Sequence, residues 1–184
     1  AKDFEIALAW LRDSGLVYKV TRISKPNLPV KSYEDIDVFK LFVLDVGILC
    51  ALSKLPSKAI LEENRIFTEF KGALTEQYVL QQLKINLSEI HYWTSKSYVA
   101  GYDLYFYRDD SKKIEMDFMV RDKSSLVPIE VKATTNLKAK SLQQYINDYS
   151  PQISVRTSLA DYKTNDNNLY DIPLYAIENI GIIR

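Results

Sequence analysis

The sequence predicts an α/β domain with a mixed central sheet flanked by helices. The order of elements carries that prediction: a long helical period over residues 62–85 precedes several short strands, a further helix and another strand. Composition supports it. Apolar residues make up 47% of the 184, enough to build a core in one substantial domain and too many for a disordered chain. The third observation is the hairpin pattern over residues 114–133, where apolar and charged residues alternate with the period of a strand.

Taken in order, Phe4, Ala7, Leu8 and Leu11 fall at i, i+3, i+4 and i+7, the spacing of an amphipathic helix that ends near Ser14-Gly15. Leu16 to Ile23 alternates as a strand, and Pro26 and Pro29 mark a loop. Phe39 to Leu44 reads as a second strand, after which Asp45 can cap a helix running to about Leu55. Helix, strand, loop and strand make up half of a winged-helix-like unit. Residues 1–38 are therefore expected as a partial winged-helix-like appendage, with the main domain over 39–184. In the main helix Phe67, Phe70, Leu74 and Tyr78 keep the helical period. Strands are expected over Ile90–Thr94, Asp103–Tyr107, Ile114–Val120 and Leu126–Ala133. A helix is expected over Asn136–Asp148, and strands over Ser154–Ser158 and Leu174–Ile177. No internal repeat or low-complexity segment interrupts the order.

Charge and rare residues exclude several classes. Basic and acidic residues balance at 24 each, so a broadly basic nucleic-acid binder is excluded, though a local basic patch is not. No apolar stretch is long enough to span a bilayer, and the first residues lack the order of a signal peptide, so a cytoplasmic protein is expected. The sequence does not begin with Met, which together with the half winged helix suggests a C-terminal piece of a longer chain. Cys50 and His91 are each the sole residue of their type, which rules out a disulfide framework and leaves little room for zinc. Cys50 reads as a small buried thiol and His91 as a surface or packing residue. No Gly-x-x-x-x-Gly-Lys-Ser/Thr occurs, so the chain has no P-loop with which to bind ATP.

The chemistry-bearing pattern lies on the hairpin. Alternate strand residues share a face, which predicts Ile114, Met116 and Phe118 on one side and Glu115 and Asp117 on the other. On the next strand Val127, Ile129, Val131 and Ala133 form an apolar face, opposite Glu130 and Lys132. A turn centred near Lys123-Ser124 sets Asp117 across from Glu130. Two facing carboxylates destabilise a sheet by up to roughly 1 kcal/mol, a cost that a hard divalent cation between them removes. Lys132, one pleat further on, can orient a metal-bound water or stabilise charge on a phosphate. Glu76, on the polar side of the long helix, is a further candidate. Against this stands the ordinary reading of Glu-x-Lys as charges on a solvated sheet face. The apolar context Pro128-Ile129-Glu130-Val131-Lys132-Ala133 resembles an interior strand more than a wet edge.

Asp117 followed at that distance by Glu130-Val131-Lys132 resembles the PD-(D/E)xK nuclease superfamily, although Met116 stands where the motif name has Pro. A longer likeness runs from about residue 4 to 178. Phe39-Lys40-Leu41-Phe42-Val43-Leu44-Asp45-Val46-Gly47-Ile48-Leu49 is similar to the K-x-Y-x-x-D-x-G-L-L segment of a bacterial and archaeal group, and Gly72-Ala73-Leu74-Thr75-Glu76-Gln77-Tyr78-Val79 to its G-x-L-x-E-x-x-V helix. Members of that group carry an AAA-type ATPase domain, a winged helix and a C-terminal domain of unknown function. The resemblance implies a restriction-endonuclease-like αβββαβ core and Mg²⁺- or Mn²⁺-dependent hydrolysis of DNA. It implies Asp117, Glu130 and the carbonyl of Val131 as metal ligands, Glu76 as an outer ligand, and Lys132 as the group that positions the water. Glu115 is an additional acid. Lys138 and Lys140 are placed either to contact a phosphate backbone or to lie in a solvated loop. The aromatics Tyr98, Tyr102, Tyr105, Phe106 and Tyr107 read more readily as hairpin packing than as base-stacking groups. The partners implied are DNA and an ATPase domain of the same polypeptide. The alternative is a catalytically silent module that binds nucleic acid or protein and regulates the ATPase.

Overall fold

The structure, a computed structural model, describes residues 4–61, 65–89, 104–122 and 125–182. Helix α1 (Glu5–Asp13) leads into β1 (Val17–Ile23) and β2 (Glu34–Val43), followed by α2 (Val46–Leu52), α3 (Ser57–Leu61) and the long α4 (Arg65–Glu89). Then come β3 (Leu104–Asp109), β4 (Ile114–Asp122), β5 (Ser125–Val131), α5 (Lys140–Tyr149), β6 (Ser154–Ser158), β7 (Lys163–Asn165) and β8 (Leu169–Pro173). Single 3₁₀ segments occupy Val30–Tyr33 and Leu174–Ile182. The chain is α/β, as its sequence predicts.

All eight of these strands join one mixed sheet in the order β2-β1-β3-β4-β5-β6-β8-β7. The central β3-β4-β5 meander is antiparallel, while β1 runs parallel to β3 and β6 runs parallel to both β5 and β8. The parallel joins require crossovers, which explains why helices cover the sheet. Alternating side chains divide the core into two layers. Phe106, Phe118, Val127 and Ile129 pack with Val79, Leu80 and Leu83 of α4. Tyr105, Tyr107, Met116 and Met119 pack with Leu142, Tyr145 and Ile146 of α5.

Several expectations meet a different structure. The strand expected at Leu174–Ile177 is 3₁₀ helix, because pairing with β6 ends at Pro173, whose ring brings no N–H to continue a ladder; the strand is β8, just before it. Strand β2 starts at Glu34 and not Phe39. Its first half carries Glu34, Asp35 and Asp37, charges that suit a sheet edge and hide a strand from an apolar pattern. Helix α5 begins at Lys140, four residues later than expected. The apolar stripe of α1 buries none of its residues, and Phe4 and Leu11 stay exposed. Residues 1–38 supply α1, β1 and the start of β2, and the expected boundary at residue 38 falls inside β2. The strand expected at Ile90–Thr94, His91, Tyr98, Tyr102 and the Lys123-Ser124 turn lie outside the described residues.

One difference bears on function. Strict alternation puts Ile114, Met116 and Phe118 on one face. In the structure Tyr105 pairs with Met119 but Tyr107 with Met116, so Asp117 and Phe118 together oppose the single residue Phe106. This is a β-bulge. Across it the faces exchange: Ile114 and Met116 belong to the α5 layer and Phe118 to the α4 layer. An inserted residue of this kind re-aims a side chain out of the regular pleat. Here that side chain is Asp117.

Candidate carboxylate and lysine site

Four elements bring the candidate residues together. In β4–β5 the pairs Asp122↔Ser125 through Phe118↔Ile129 form a continuous register, and the next step would join Asp117 to Glu130, as the spacing predicts. The backbone pairing stops there. Asp117 Oδ2 instead accepts the N–H of Val131 at 2.7 Å, so the bulged carboxylate satisfies a strand donor where the ladder ends. Glu130 is buried, and its Oε1 accepts from Lys132 Nζ at 2.6 Å. Lys132 is held in turn by its backbone N–H, which donates to Thr157 O on β6 at 2.8 Å.

Glu76 arrives from α4, and its neighbour Gln77 sets its position. The Gln77 side chain is almost fully buried and grips the end of β2 twice, accepting from Val43 N at 3.1 Å and donating to Val43 O at 2.7 Å. Gln81 Oε1 accepts from Val46 N a turn further along, and Asp45 caps α2 by accepting from Ile48 N at 2.8 Å, as expected. This docking lays α4 against β2, and it brings Glu76 to a residue to which the sequence assigns no role.

That residue is Lys40, on β2. Its ammonium lies 2.7 Å from Glu115 Oε1, 3.7 Å from Glu76 Oε2 and 4.0 Å from Asp117 Oδ1, with the side chain three-quarters buried. The ammonium also lies over the Phe106 ring, 5.1 Å from its centroid. Burial disfavours the charge on Lys40, but the Glu115 hydrogen bond and the charges of Glu76, Asp117 and Glu115 outweigh it and raise the pKa. The signal was present in the sequence as a lysine amid the apolar strand Phe39–Leu44. Without the sheet order, nothing connected that strand to β4.

Asp117 is the electrostatically distinctive group. Burial, then repulsion from Glu130 and Glu76, pushes its pKa up to about 7, against the opposing pull of the Val131 N–H and of Lys40. A carboxylate shifted this far by burial and by named charges is a reasonable marker of a functional site. Lys138 and Lys140 lie beyond the end of β5, both exposed, with the Lys138 N–H closing a turn onto Asn136 Oδ1 at 3.0 Å. That loop is tied down by Arg156, which donates to Leu137 O and forms a two-bond ion pair with the buried Asp171, at 2.7 and 3.0 Å.

The family described as Domain of unknown function (DUF4143) matches residues 71–176, more than half of the chain. The chain belongs to that family. A second description, Domain of unknown function (DUF8612), matches residues 1–59. No curated protein and no solved structure matches. Within the DUF4143 match lie Glu76, Glu115, Asp117, Glu130 and Lys132, whereas Lys40 lies in the stretch matched by DUF8612. The cluster is therefore composite, its second lysine supplied by the N-terminal part of the chain.

A cation is the natural test of such a cluster. The donors are hard oxygens, the type that Mg²⁺ and Mn²⁺ prefer. Among the described residues, however, no three His, Cys, Asp or Glu side chains gather closely enough to hold an ion. Lys40 and Lys132 pair with the carboxylates instead. The donor chemistry fits a divalent cation, and the arrangement is that of a site closed by two ammonium groups. No helix of the described residues is long and apolar enough to cross a membrane.

Proposed function

We propose that this site hydrolyses phosphodiester bonds of DNA with the help of Mg²⁺ or Mn²⁺, held by Asp117, Glu130 and the Val131 carbonyl. The observation that carries this reading is Asp117. It sits on a bulge, accepts a strand N–H, and has a pKa raised to about 7 between Glu130 and Glu76, so its charge is costly until a cation arrives. A bound divalent cation would supply an activated water and offset charge on the phosphate oxygens. Lys132, held beside Glu130, would orient the attacking water, and Glu76 would hold the α4 side of the site. The order α4-β3-β4-β5-α5-β6 agrees with a restriction-endonuclease-like core. The exposed Lys138 and Lys140 suit backbone phosphates. Helix α1 with β1 and β2 agrees with the end of a winged helix that follows an ATPase domain.

The test has two steps. Calorimetry is expected to show Mg²⁺ or Mn²⁺ binding that Asp117→Asn abolishes, and absence of binding to the unaltered chain would end the metal reading. Nicking of supercoiled DNA, with Lys132→Ala as control, then tests the chemistry, because equal cleavage by both proteins would mark a contaminant. A second reading, a silent module that binds nucleic acid or protein for the ATPase, is favoured by one observation. Lys40 and Lys132 already pair with these carboxylates, as they would in a site with no ion to hold.

A further inference from the structure

The carboxyl ends of three parallel strands open onto a second feature of the molecule. Strands β5, β6 and β8 run in one direction, so Ala133 after β5, Ser158 ending β6 and Pro173 ending β8 reach the same rim of the sheet. Between that rim and α4 lies a pocket of about 630 Å³. Small-molecule sites typically measure about 300–1,000 Å³, and open α/β sheets hold ligands in the crevice beyond their strand carboxyl ends. The pocket adjoins the carboxylate and lysine site along both walls. On α4, Thr75 lines it and Glu76 comes next; beyond β5, Ala133 lines it and directly follows Lys132.

The lining selects a kind of ligand. Phe67 and Tyr78 of α4 and Tyr175 of the last 3₁₀ segment contribute three aromatic side chains, and Tyr175 is 76% exposed, a large ring left at the mouth. Aromatic faces of this kind stack on a planar ring. Lys71 is the one charged side chain of the lining among the described residues, so the polar end that suits it is an anion. Thr134 Oγ1 accepts from Asn136 N at 3.2 Å, and Ser158 Oγ accepts from Ala160 N at 3.0 Å. Each of these two lining hydroxyls thereby keeps its own O–H to donate. One ammonium and two hydroxyls, from three separate segments, match the three oxygens of a phosphate better than the two of a carboxylate.

We propose that this pocket binds one unstacked nucleotide, its base among Phe67, Tyr78 and Tyr175 and its phosphate at Lys71, Thr134 and Ser158. The same chemical unit comes either as a free nucleoside monophosphate or as one unpaired nucleotide of a DNA strand. The inference goes beyond the proposed hydrolysis and needs no metal, so it stands whether or not the carboxylates hold an ion.

Equilibrium dialysis of the full chain in EDTA tests it, with dAMP, deoxyadenosine and single-stranded oligo(dA) as probes. The unaltered chain is expected to bind dAMP, and deoxyadenosine more weakly. Tyr175→Ala, at an exposed position that the fold does not depend on, should weaken dAMP and deoxyadenosine alike, by about tenfold. Lys71→Ala should weaken dAMP on the order of tenfold and leave deoxyadenosine unchanged, while Lys71→Arg keeps the affinity for dAMP. Oligo(dA) bound more tightly than dAMP identifies a strand as the source of the nucleotide, and equal affinity identifies the free nucleotide. Absence of binding by both, or dAMP binding that either alanine variant leaves unchanged, overturns the proposal. Metal binding without nucleotide uptake ends this inference and leaves the proposed hydrolysis standing; nucleotide uptake without metal binding does the reverse.

Discussion

Asp117 links the geometry of the site to measurable pH behaviour. Its folded pKa, about 7, lies above the ordinary carboxylate value of 3.8, so between those limits the folded chain holds a proton that the unfolded chain has lost. The Asp117 contribution to stability is therefore full below about pH 4, falls as pH rises toward 7, and stays low above it. A shift of this size corresponds to roughly 4–5 kcal/mol at ~1.4 kcal/mol per pH unit. Urea unfolding of the metal-free chain between pH 4 and 8 should show that decline, and Asp117→Asn should remove it. On the proposed function, the same proton leaves before a cation binds Asp117. Metal affinity measured by calorimetry should accordingly rise with pH up to about 7 and level off beyond, with a proton released on binding in weakly acidic buffer.

At the scale of elements, the docking of α4 decides whether the site assembles. Gln77 supplies both hydrogen bonds that tie α4 to the end of β2, and Glu76 is its sequence neighbour. Gln77→Ala would leave the Val43 N–H and carbonyl without these partners. It should cost about 2–3 kcal/mol in denaturant unfolding, the sum expected for two buried hydrogen bonds. It should also weaken metal binding, since Glu76 and Lys40 lose their alignment. On the far side, the Arg156–Asp171 pair fixes the loop that carries Lys138. Asp171→Ala leaves a largely buried guanidinium unpaired and should destabilise the fold by about 3–5 kcal/mol, read as a lowered midpoint in the same assay.

At the scale of the molecule, one sheet runs from β2 to β7, and β1 pairs with both β2 and β3. The first strands thus cover an edge of the β3-β4-β5 meander. A calorimetric scan of the whole chain should show a single transition, because the meander and its neighbours share the core layer beneath α4. A chain begun at residue 44 would expose the edge of β3 and lack Lys40. It should aggregate on size-exclusion chromatography, as an uncovered apolar edge strand does.

The amino-acid sequence by itself determined the α/β class, the alternation of β5, the Asp45 cap, and the register that sets Asp117 toward Glu130. Each depends on residues close together in the chain, through strand or helix period or a short turn. The tertiary structure alone decided the rest. The bulge at Asp117 and Phe118 became visible only when β4 was paired with β3, since alternation within β4 gives no sign of an inserted residue. The early start of β2 was concealed by charges that only an edge position accommodates. Lys40 meets Glu76, Glu115 and Asp117 because strand order and α4 docking bring distant segments together, and no local spacing encodes that meeting. Sequence named the acids because their period is local, and the fold supplied the lysine that pairs with them because charge acts through space.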